Sequence, residues 1–135
     1  MTSSFYIKLY VLTVPVFFAI DIVWLGFLAK DFYQRNLGFL FRSSVNWTAA
    51  VVFYLLYIVG ILLFAVVPAL ERDDWTRAVL WGSLFGFFTY ATYDLTNLAT
   101  VKDWPLTVVI VDIIWGIFLC GLVSVISFHV GRWLS

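Results

Sequence analysis

The chain has 135 residues, of which 64% are hydrophobic and only 12% are charged, and its mean hydropathy is +1.02. So large an apolar fraction excludes an ordinary soluble domain, which has no interior large enough to bury it. The formal net charge is zero, so nucleic acid is not an expected partner, and a single cysteine excludes an intramolecular disulfide. We therefore expect an integral membrane protein whose main partner is the lipid bilayer.

Four apolar segments are each long enough to cross a hydrocarbon core as a helix, which takes about 20 residues. The predicted helices lie at 5–29, 47–70, 78–99 and 105–130, and the short segments between them carry most of the charges. Tryptophan anchors helix ends in the membrane interface, as expected here for Trp47, Trp75, Trp104 and Trp133. The expected fold class is all-α, a four-transmembrane-helix bundle that forms one integral membrane domain over residues 1–135.

The first predicted helix contains Asp21 within the sequence DIVWLG. A charge at the bilayer centre costs at least about 2.5–3.5 kcal/mol, so an acid inside a membrane helix is a functional-site hypothesis. Trp24 follows three residues later and places an indole N–H donor near the same helix face. The segment is too long for the apolar part of a signal peptide and carries this acid, so we expect it to be retained as a helix.

The second and third predicted helices supply polar side chains. Tyr54 and Tyr57 are the expected polar partners on the second helix. On the third helix, residues three and four apart share one face, and Asp94 lies at the edge of a narrow arc. That arc contains Gly82, Gly86, Tyr90, Tyr93 and Asn97. The third helix therefore carries a polar stripe.

The fourth predicted helix repeats the pattern of an acid followed by tryptophan, with Asp112 and Trp115 in the sequence DIIWG. Gly116, Cys120 and Ser127 lie on the same side as Asp112. Small residues in such a row allow another helix to approach closely, and Cys120 is expected to be one of these packing residues.

The three predicted intramembrane acids lie at one depth. A helix rises about 1.5 Å per residue, and the acids lie eight or nine residues from charged residues at the segment ends, over the intervals 21–30, 94–102 and 103–112. Asp21, Asp94 and Asp112 are therefore expected roughly 10–13 Å below the same membrane face. We predict that they lie within mutual reach, directly or through one water, and that Tyr93 and Asn97 border them.

Orientation rests on Lys and Arg residues in the short loops, which are expected to be more numerous on the cytoplasmic side. Four fall on each side: Lys8, Arg72, Arg77 and Arg132 on the side of the termini, and Lys30, Arg35, Arg42 and Lys102 on the other. The positive charge of the free amino terminus slightly favours an orientation with both termini in the cytoplasm. Balanced counts also fit a protein that inserts in both orientations.

Several segments resemble a known family. DIVWLG in the first helix, FYLLYIVG at 53–60, YATYDLTNLAT at 90–100, the pair WP at 104–105 and VDIIWG at 111–116 look like the small bacterial membrane proteins of domain-of-unknown-function family 2177. The resemblance covers nearly the whole chain, and YDLTNLAT is its most specific segment. It implies four transmembrane helices in the bacterial cytoplasmic (inner) membrane and carries no activity over to this chain.

The favoured functional prediction is a small transporter or channel, linked to protons or to a small cation, because buried carboxylates beside Tyr and Asn can bind a cation and exchange protons. The candidate binding residues are Asp21, Trp24, Tyr90, Tyr93, Asp94, Asn97, Asp112 and Trp115. Three carboxylates in one apolar layer cannot all ionise without a compensating cation, so one or two are expected to hold a proton. The small multidrug-resistance exporters, similar in size only, work as dimers, so a homodimer is expected too.

Two other classes stay open. In the first, a membrane-embedded enzyme holds Mg²⁺ with the three carboxylates and binds a lipid phosphate with Lys30, Arg35, Arg42 and Lys102. The sequence offers no buried His, Lys or Arg and no nucleophile beside a base, so no catalytic residue and no cofactor are predicted, and metal ligands are left open. In the second, the acids only hold together an accessory subunit through hydrogen bonds between helices.

Overall fold

The structure, a computed structural model, describes residues 1–41 and 44–135, and nearly all of them are helical. Helix α1 spans Ser3–Val23, α2 Lys30–Leu37, α3 Trp47–Ile61, α4 Val67–Glu71, α5 Trp75–Thr100 and α6 Leu106–Leu134. A π-helical turn, Trp24–Leu28, extends α1, and another, Leu62–Val66, joins α3 to α4, while Gly38–Leu40 forms a 3₁₀ turn. The described ranges contain no β-strand. The prediction of an all-α fold is confirmed.

Three continuous helical segments are long and apolar enough to cross a membrane: Ser3–Leu28, Trp47–Glu71 and Leu106–Leu134. Helix α5 has 26 residues, but Thr, Tyr, Asp and Asn side chains in its C-terminal half make it less apolar. Large hydrophobic side chains cover the outside of the bundle, including Phe27 at 78% exposure and Leu56 at 66%. A soluble protein rarely shows so much continuous apolar surface, and a lipid-facing surface requires it.

Helices α5 and α6 pack closely because small residues face each other along their contact. Gly82 and Gly86 of α5 are buried against Gly116, Cys120 and Ser124 of α6. A Cβ atom added at Gly86 would lie 2.7 Å from the Gly116 carbonyl carbon and 2.9 Å from the Cys120 Cβ, which is closer than side chains normally approach. The two backbones can therefore be this close only while residue 86 has no side chain.

The buried face of α1 recurs every four residues, at Phe5, Leu9, Thr13, Phe17 and Asp21, as expected for one stripe of a helix. Its apolar members pack on α3 and α6. Within this stripe the Thr13 and Ser127 hydroxyls form a buried hydrogen bond of 2.6 Å. Ser127, which the sequence placed with the small residues beside Asp112, thus faces α1, whereas Gly116 and Cys120 face α5. Asp21 ends the stripe, so α1 delivers this acid to the interior.

The segment after the first long helix, which the sequence analysis described only as a charged connection, contains a further helix. Lys30–Leu37 forms α2, with Asp31 in its first turn and Arg35 in its last, as the helix dipole favours. Leu37 is buried and Tyr33, four residues earlier, is half-buried on the same face. Helix α2 therefore packs over the end of the bundle that holds the three acids. Arg42, expected among the cations at this end, lies outside the described residues.

The connection from α5 to α6 is short, covering residues 101–105. Asp103 adopts a left-handed conformation with φ of 60°, which Asp tolerates better than most residues. Pro105 caps the start of α6, where the missing N–H costs nothing. This turn brings Trp104 beside the final turns of α5.

The opposite end of the bundle carries the ion pairs of the described ranges, both in the α4–α5 connection. Asp73 pairs with Arg132 of α6 at 3.2 Å, and Asp74 pairs with Arg77 at 3.9 Å. Asp74 also caps α5 and accepts a hydrogen bond of 2.5 Å from the Thr76 hydroxyl, which lowers the pKa of this carboxyl below its usual value. Asp73 and Asp74 are thus paired at the end of the bundle opposite to Asp21, Asp94 and Asp112.

Candidate functional site

Asp21 lies near the C-terminal end of α1 and is only 6% exposed. The Tyr54 hydroxyl of α3 and the Trp115 indole nitrogen of α6 lie beside its carboxyl group. The Trp115 side chain is 9% exposed, and within the described ranges its N–H has no hydrogen-bond partner. Two potential donors from two other helices therefore surround the Asp21 carboxyl without fully satisfying it.

Asp94 continues the stripe of α5 that faces α6, in steps of four from Gly82 and Gly86. Its side chain is completely buried, and in the part of the chain described neither carboxyl oxygen has a hydrogen-bond partner. The Asp94 carboxyl faces that of Asp112, close enough for a direct hydrogen bond when one of the two carries a proton. The Trp104 indole nitrogen is also adjacent, but its N–H is not aligned for a hydrogen bond.

Asp112, nearly two turns into α6, has the best-defined hydrogen bonds of the three acids. The Tyr33 hydroxyl of α2 donates to Asp112 Oδ1 at 2.6 Å, and Trp24 Nε1 donates to the Tyr33 oxygen at 3.1 Å. Burial raises the pKa of Tyr33, so its hydroxyl keeps its proton and remains a donor. A short chain of donors thus runs from α1 through α2 to this acid.

The π-helical turn after α1 positions Trp24 for this chain. The Ala29 amide donates to the Trp24 carbonyl at 2.8 Å, five residues back instead of four. The Trp24 ring stacks on Trp115 with ring centroids 4.4 Å apart and planes 8° from parallel. The two tryptophans that follow Asp21 and Asp112 in sequence therefore meet face to face between α1 and α6.

Asp112 lies between the other two acids. It is near enough to both Asp21 and Asp94 for like-charge repulsion. Over the described residues, no group of three His, Cys, Asp or Glu side chains is arranged to hold a metal ion. The acids thus form a row across three helices rather than a compact set of metal ligands.

A cavity of about 380 Å³, here called the acidic cavity, opens beside this row. Asp21 and Asp112 line it, and α2 contributes Lys30, Tyr33 and Gln34. Aromatic rings form most of the remaining wall: Tyr33, Phe41, Phe53, Tyr54, Tyr90, Tyr93, Trp104 and Trp115. The titratable groups facing Asp112 are therefore Asp21 from α1, Lys30 and Tyr33 from α2, Tyr54 from α3, and Tyr90, Tyr93 and Asp94 from α5.

A second cavity of about 440 Å³, here called the tyrosine cavity, adjoins the first. It is lined by Phe53, Tyr57, Thr89, Tyr90, Tyr93 and Asp112, four of which also line the acidic cavity. Tyr57 hydrogen-bonds to the Thr89 hydroxyl at 2.7 Å and to Cys120 Sγ at 3.1 Å. The expected polar partners on α3 thus differ in role, because Tyr54 lies beside Asp21 whereas Tyr57 links α5 and α6.

The sequence-predicted site residues occupy different places around these cavities. Asp21, Tyr90, Tyr93, Asp112 and Trp115 line the acidic cavity. Asp94 lies behind Asp112, and Trp24 lies behind Trp115. Asn97 lies beside the Tyr93 hydroxyl and is absent from the lining of both cavities.

Two contributors were not identified from the sequence. Tyr33 was placed in a connection, although the spacing of Tyr33 and Leu37 is that of one helix face. Trp104 was interpreted only as a membrane anchor, although it follows a left-handed residue that folds the chain back onto α5.

The helical fold and the apolar surface define this chain as a helical membrane protein. The model of the family described as "Predicted membrane protein (DUF2177)" matches residues 6–129, and the chain belongs to this family, as the resemblance of its segments predicted. No curated protein and no solved structure matches the chain. The family description specifies no activity, so function is argued from the site.

Proposed function

We propose that the protein is a transporter or channel linked to protons or cations, and that its binding site is the acidic cavity. One observation carries the proposal: Asp21 and Asp112 line a cavity, and Asp94 is fully buried behind them with both oxygens unpartnered in the described ranges. A buried carboxylate of this kind lowers the stability of the fold, so keeping it at this position requires an interaction that offsets the loss. Binding of a cation or a proton to the carboxylates supplies that interaction.

The first step of the mechanism is proton storage by Asp94 and Asp112. Two carboxyl groups in direct contact cannot both ionise in a medium of low dielectric constant, so the pair holds one proton and titrates as a unit. Tyr33 already donates to Asp112 Oδ1, which leaves the other Asp112 oxygen to accept from a protonated Asp94. The resting pair therefore carries one proton and one negative charge between its two carboxyl groups.

The second step is exchange of that proton for a cation. A cation in the acidic cavity lies next to Asp112 and Asp21. Its positive charge stabilises the ionised carboxylates, so the Asp94–Asp112 pair loses its proton more easily. The proton then leaves Asp94, and the cation compensates the added negative charge. Cation binding and proton release are thus linked, as proton-coupled transport requires.

The alternatives have weaker support. An enzyme that holds Mg²⁺ needs a compact set of oxygen ligands, and the described residues show a row of acids instead. An acid that serves only as interhelical glue has no need of a second acid as its partner, whereas Asp94 faces Asp112.

The proposal includes four membrane spans, with α5 as the least apolar of them, in the bacterial inner membrane with both termini in the cytoplasm. Four spans would put residues 1 and 135 on the same side of the membrane, and the Lys and Arg counts are equal on the two sides. A reporter active only in the periplasm, fused after Ser135, is expected to be silent, while a cytoplasmic reporter at the same position is active. Strong periplasmic activity would contradict this orientation, and activity of both reporters would indicate insertion in both directions.

Purified protein in lipid nanodiscs is expected to release protons when a cation binds, because the Asp94–Asp112 pair cannot keep its proton beside a second positive charge. The release can be measured with a pH-indicator dye in weak buffer. Asp112→Asn keeps the size of the side chain but removes its charge, so it should abolish the release. If no cation changes the proton binding of the intact protein, the proposed function is wrong.

Two variants make the measurement specific. Asp103→Asn is the same chemical change at an exposed loop position where Asn also tolerates the left-handed backbone, so proton release should be unchanged. Tyr33→Phe removes the donor that stabilises charged Asp112. A hydrogen bond to a charged group contributes about 1.5–3 kcal/mol, so the midpoint pH of proton release should rise by about one unit or more.

A further inference from the structure

The wall of the acidic cavity combines two carboxylates with eight aromatic side chains. Aromatic faces carry negative potential and attract cations most strongly where the charge is diffuse and poorly hydrated, as in substituted ammonium ions. A metal ion instead needs several oxygen ligands at short distances, and the described residues provide no such group. The composition of the wall therefore favours an organic cation over a metal ion.

The volumes of the two cavities also favour an organic cation over a metal ion. A bare ion occupies no more volume than a water molecule, about 30 Å³, whereas pockets for organic ligands measure about 300–1,000 Å³. The acidic cavity measures about 380 Å³, and the adjoining tyrosine cavity measures about 440 Å³. Phe53, Tyr90 and Tyr93 form walls of both, so a ligand with its charge beside Asp112 can place apolar groups in the second cavity.

The charge balance at the site favours a cation over an anion or a neutral ligand. Asp21 and the Asp94–Asp112 pair, which shares one proton, contribute two negative charges, and Lys30 at the cavity wall contributes one positive charge. One negative charge remains uncompensated by the described residues.

We propose that the acidic cavity binds an organic ammonium ion with apolar substituents, held by Asp112 and Asp21 and enclosed by the aromatic wall. This inference rests on the proposed function and names its substrate class. A soluble amine and the head group of an aminolipid can both provide such a cation. The site would recognise the ammonium group of either in the same way.

Benzyltrimethylammonium is a suitable probe because it joins a diffuse positive charge to one aromatic substituent. We expect radiolabelled benzyltrimethylammonium to bind saturably to the protein in nanodiscs of phosphatidylglycerol and to release protons there. Neopentylbenzene, its uncharged carbon isostere, should displace it at least tenfold less effectively, and equal concentrations of Na⁺, K⁺ or Mg²⁺ should not displace it.

Two matched variants test whether the aromatic wall of the acidic cavity contributes to binding of the probe. Tyr93→Leu removes one ring shared by both cavities from a side chain that is 56% exposed, so the fold should tolerate the change. A lost cation–π contact of this kind should weaken binding by about threefold to thirtyfold. Tyr6→Leu makes the same change on α1 at a position outside both cavities and should leave binding unchanged.

Each outcome bears on the proposal. If inorganic cations release protons but benzyltrimethylammonium neither binds nor releases them, this inference is overturned while the proposed function stands. If no cation releases protons, both fail. Adding phosphatidylethanolamine to the nanodiscs identifies the source: competition with the probe indicates an aminolipid, and unchanged binding of the probe indicates a soluble amine.

Discussion

Replacing Asp94 by asparagine is expected to stabilise the protein while abolishing cation-linked proton release. Asp94 is completely buried and faces the Asp112 carboxyl group, so the pair must either take up a proton or carry two repelling charges, and both states cost stability. An asparagine amide fits the same space and can donate to the facing Asp112 carboxylate. The free energy of unfolding at pH 8 should rise by about 1–3 kcal/mol, because asparagine makes this contact without taking up a proton from solution.

The measurement is a titration with sodium dodecyl sulfate in mixed micelles, followed by tryptophan fluorescence, and Asp103→Asn is the control. An exposed loop substitution of this kind should change the free energy of unfolding by less than about 0.5 kcal/mol. The sign of the Asp94→Asn result separates two classes of function. A loss of 1 kcal/mol or more would show that Asp94 holds helices together, and the accessory-subunit interpretation would replace the transporter.

A stability gain at a functional residue has a physical basis. Binding sites keep charged groups in places that a purely structural protein would fill with apolar side chains, and these groups lower stability until the ligand binds. In this chain the groups that lower stability lie at the end of the bundle that holds the acids. There, Asp94 and the indole groups of Trp104 and Trp115 lack partners among the described residues.

The sequence was sufficient to predict the long helices, because hydrophobic length is a local property. Asp21 and Asp94 are delivered to the interior by stripes that recur every four residues, which could be counted in the sequence. The same counting found the small residues of α5 and α6. Local periodicity thus predicted that Gly82 and Gly86 share the packed face of α5.

Other parts of the site depend on long-range packing, which periodicity does not encode. Tyr33 and Asp112 are 79 residues apart, and their hydrogen bond forms only because α2 folds back over the bundle. The stacking of Trp24 on Trp115 depends on the extra residue in the π-helical turn. The Asp94–Asp112 contact depends on how closely α5 and α6 approach, which the glycines permit but do not specify.

That close approach leads to the second major prediction. Gly86→Ala should destabilise the bundle by about 1–3 kcal/mol, because the new methyl group meets the Gly116 backbone and the Cys120 side chain, and backbone cannot move aside cheaply. Helix α5 must then shift away from α6, and Asp94, two turns further along, moves away from Asp112. Separated carboxyl groups ionise more easily, so the midpoint pH of cation-linked proton release should fall.

Gly26→Ala is the matched control, because its added Cβ meets only Ile22 Cγ2 at 3.9 Å, an ordinary contact. Alanine also favours helical backbone over glycine, so this variant should be neutral or slightly stabilising. Both variants can be compared in the same detergent titration and the same dye assay. If Gly86→Ala matches Gly26→Ala in stability, α5 and α6 do not pack as closely as the structure indicates. If Gly86→Ala loses stability but keeps the wild-type midpoint, the spacing of Asp94 and Asp112 does not control their shared proton, and the proposed storage step is wrong.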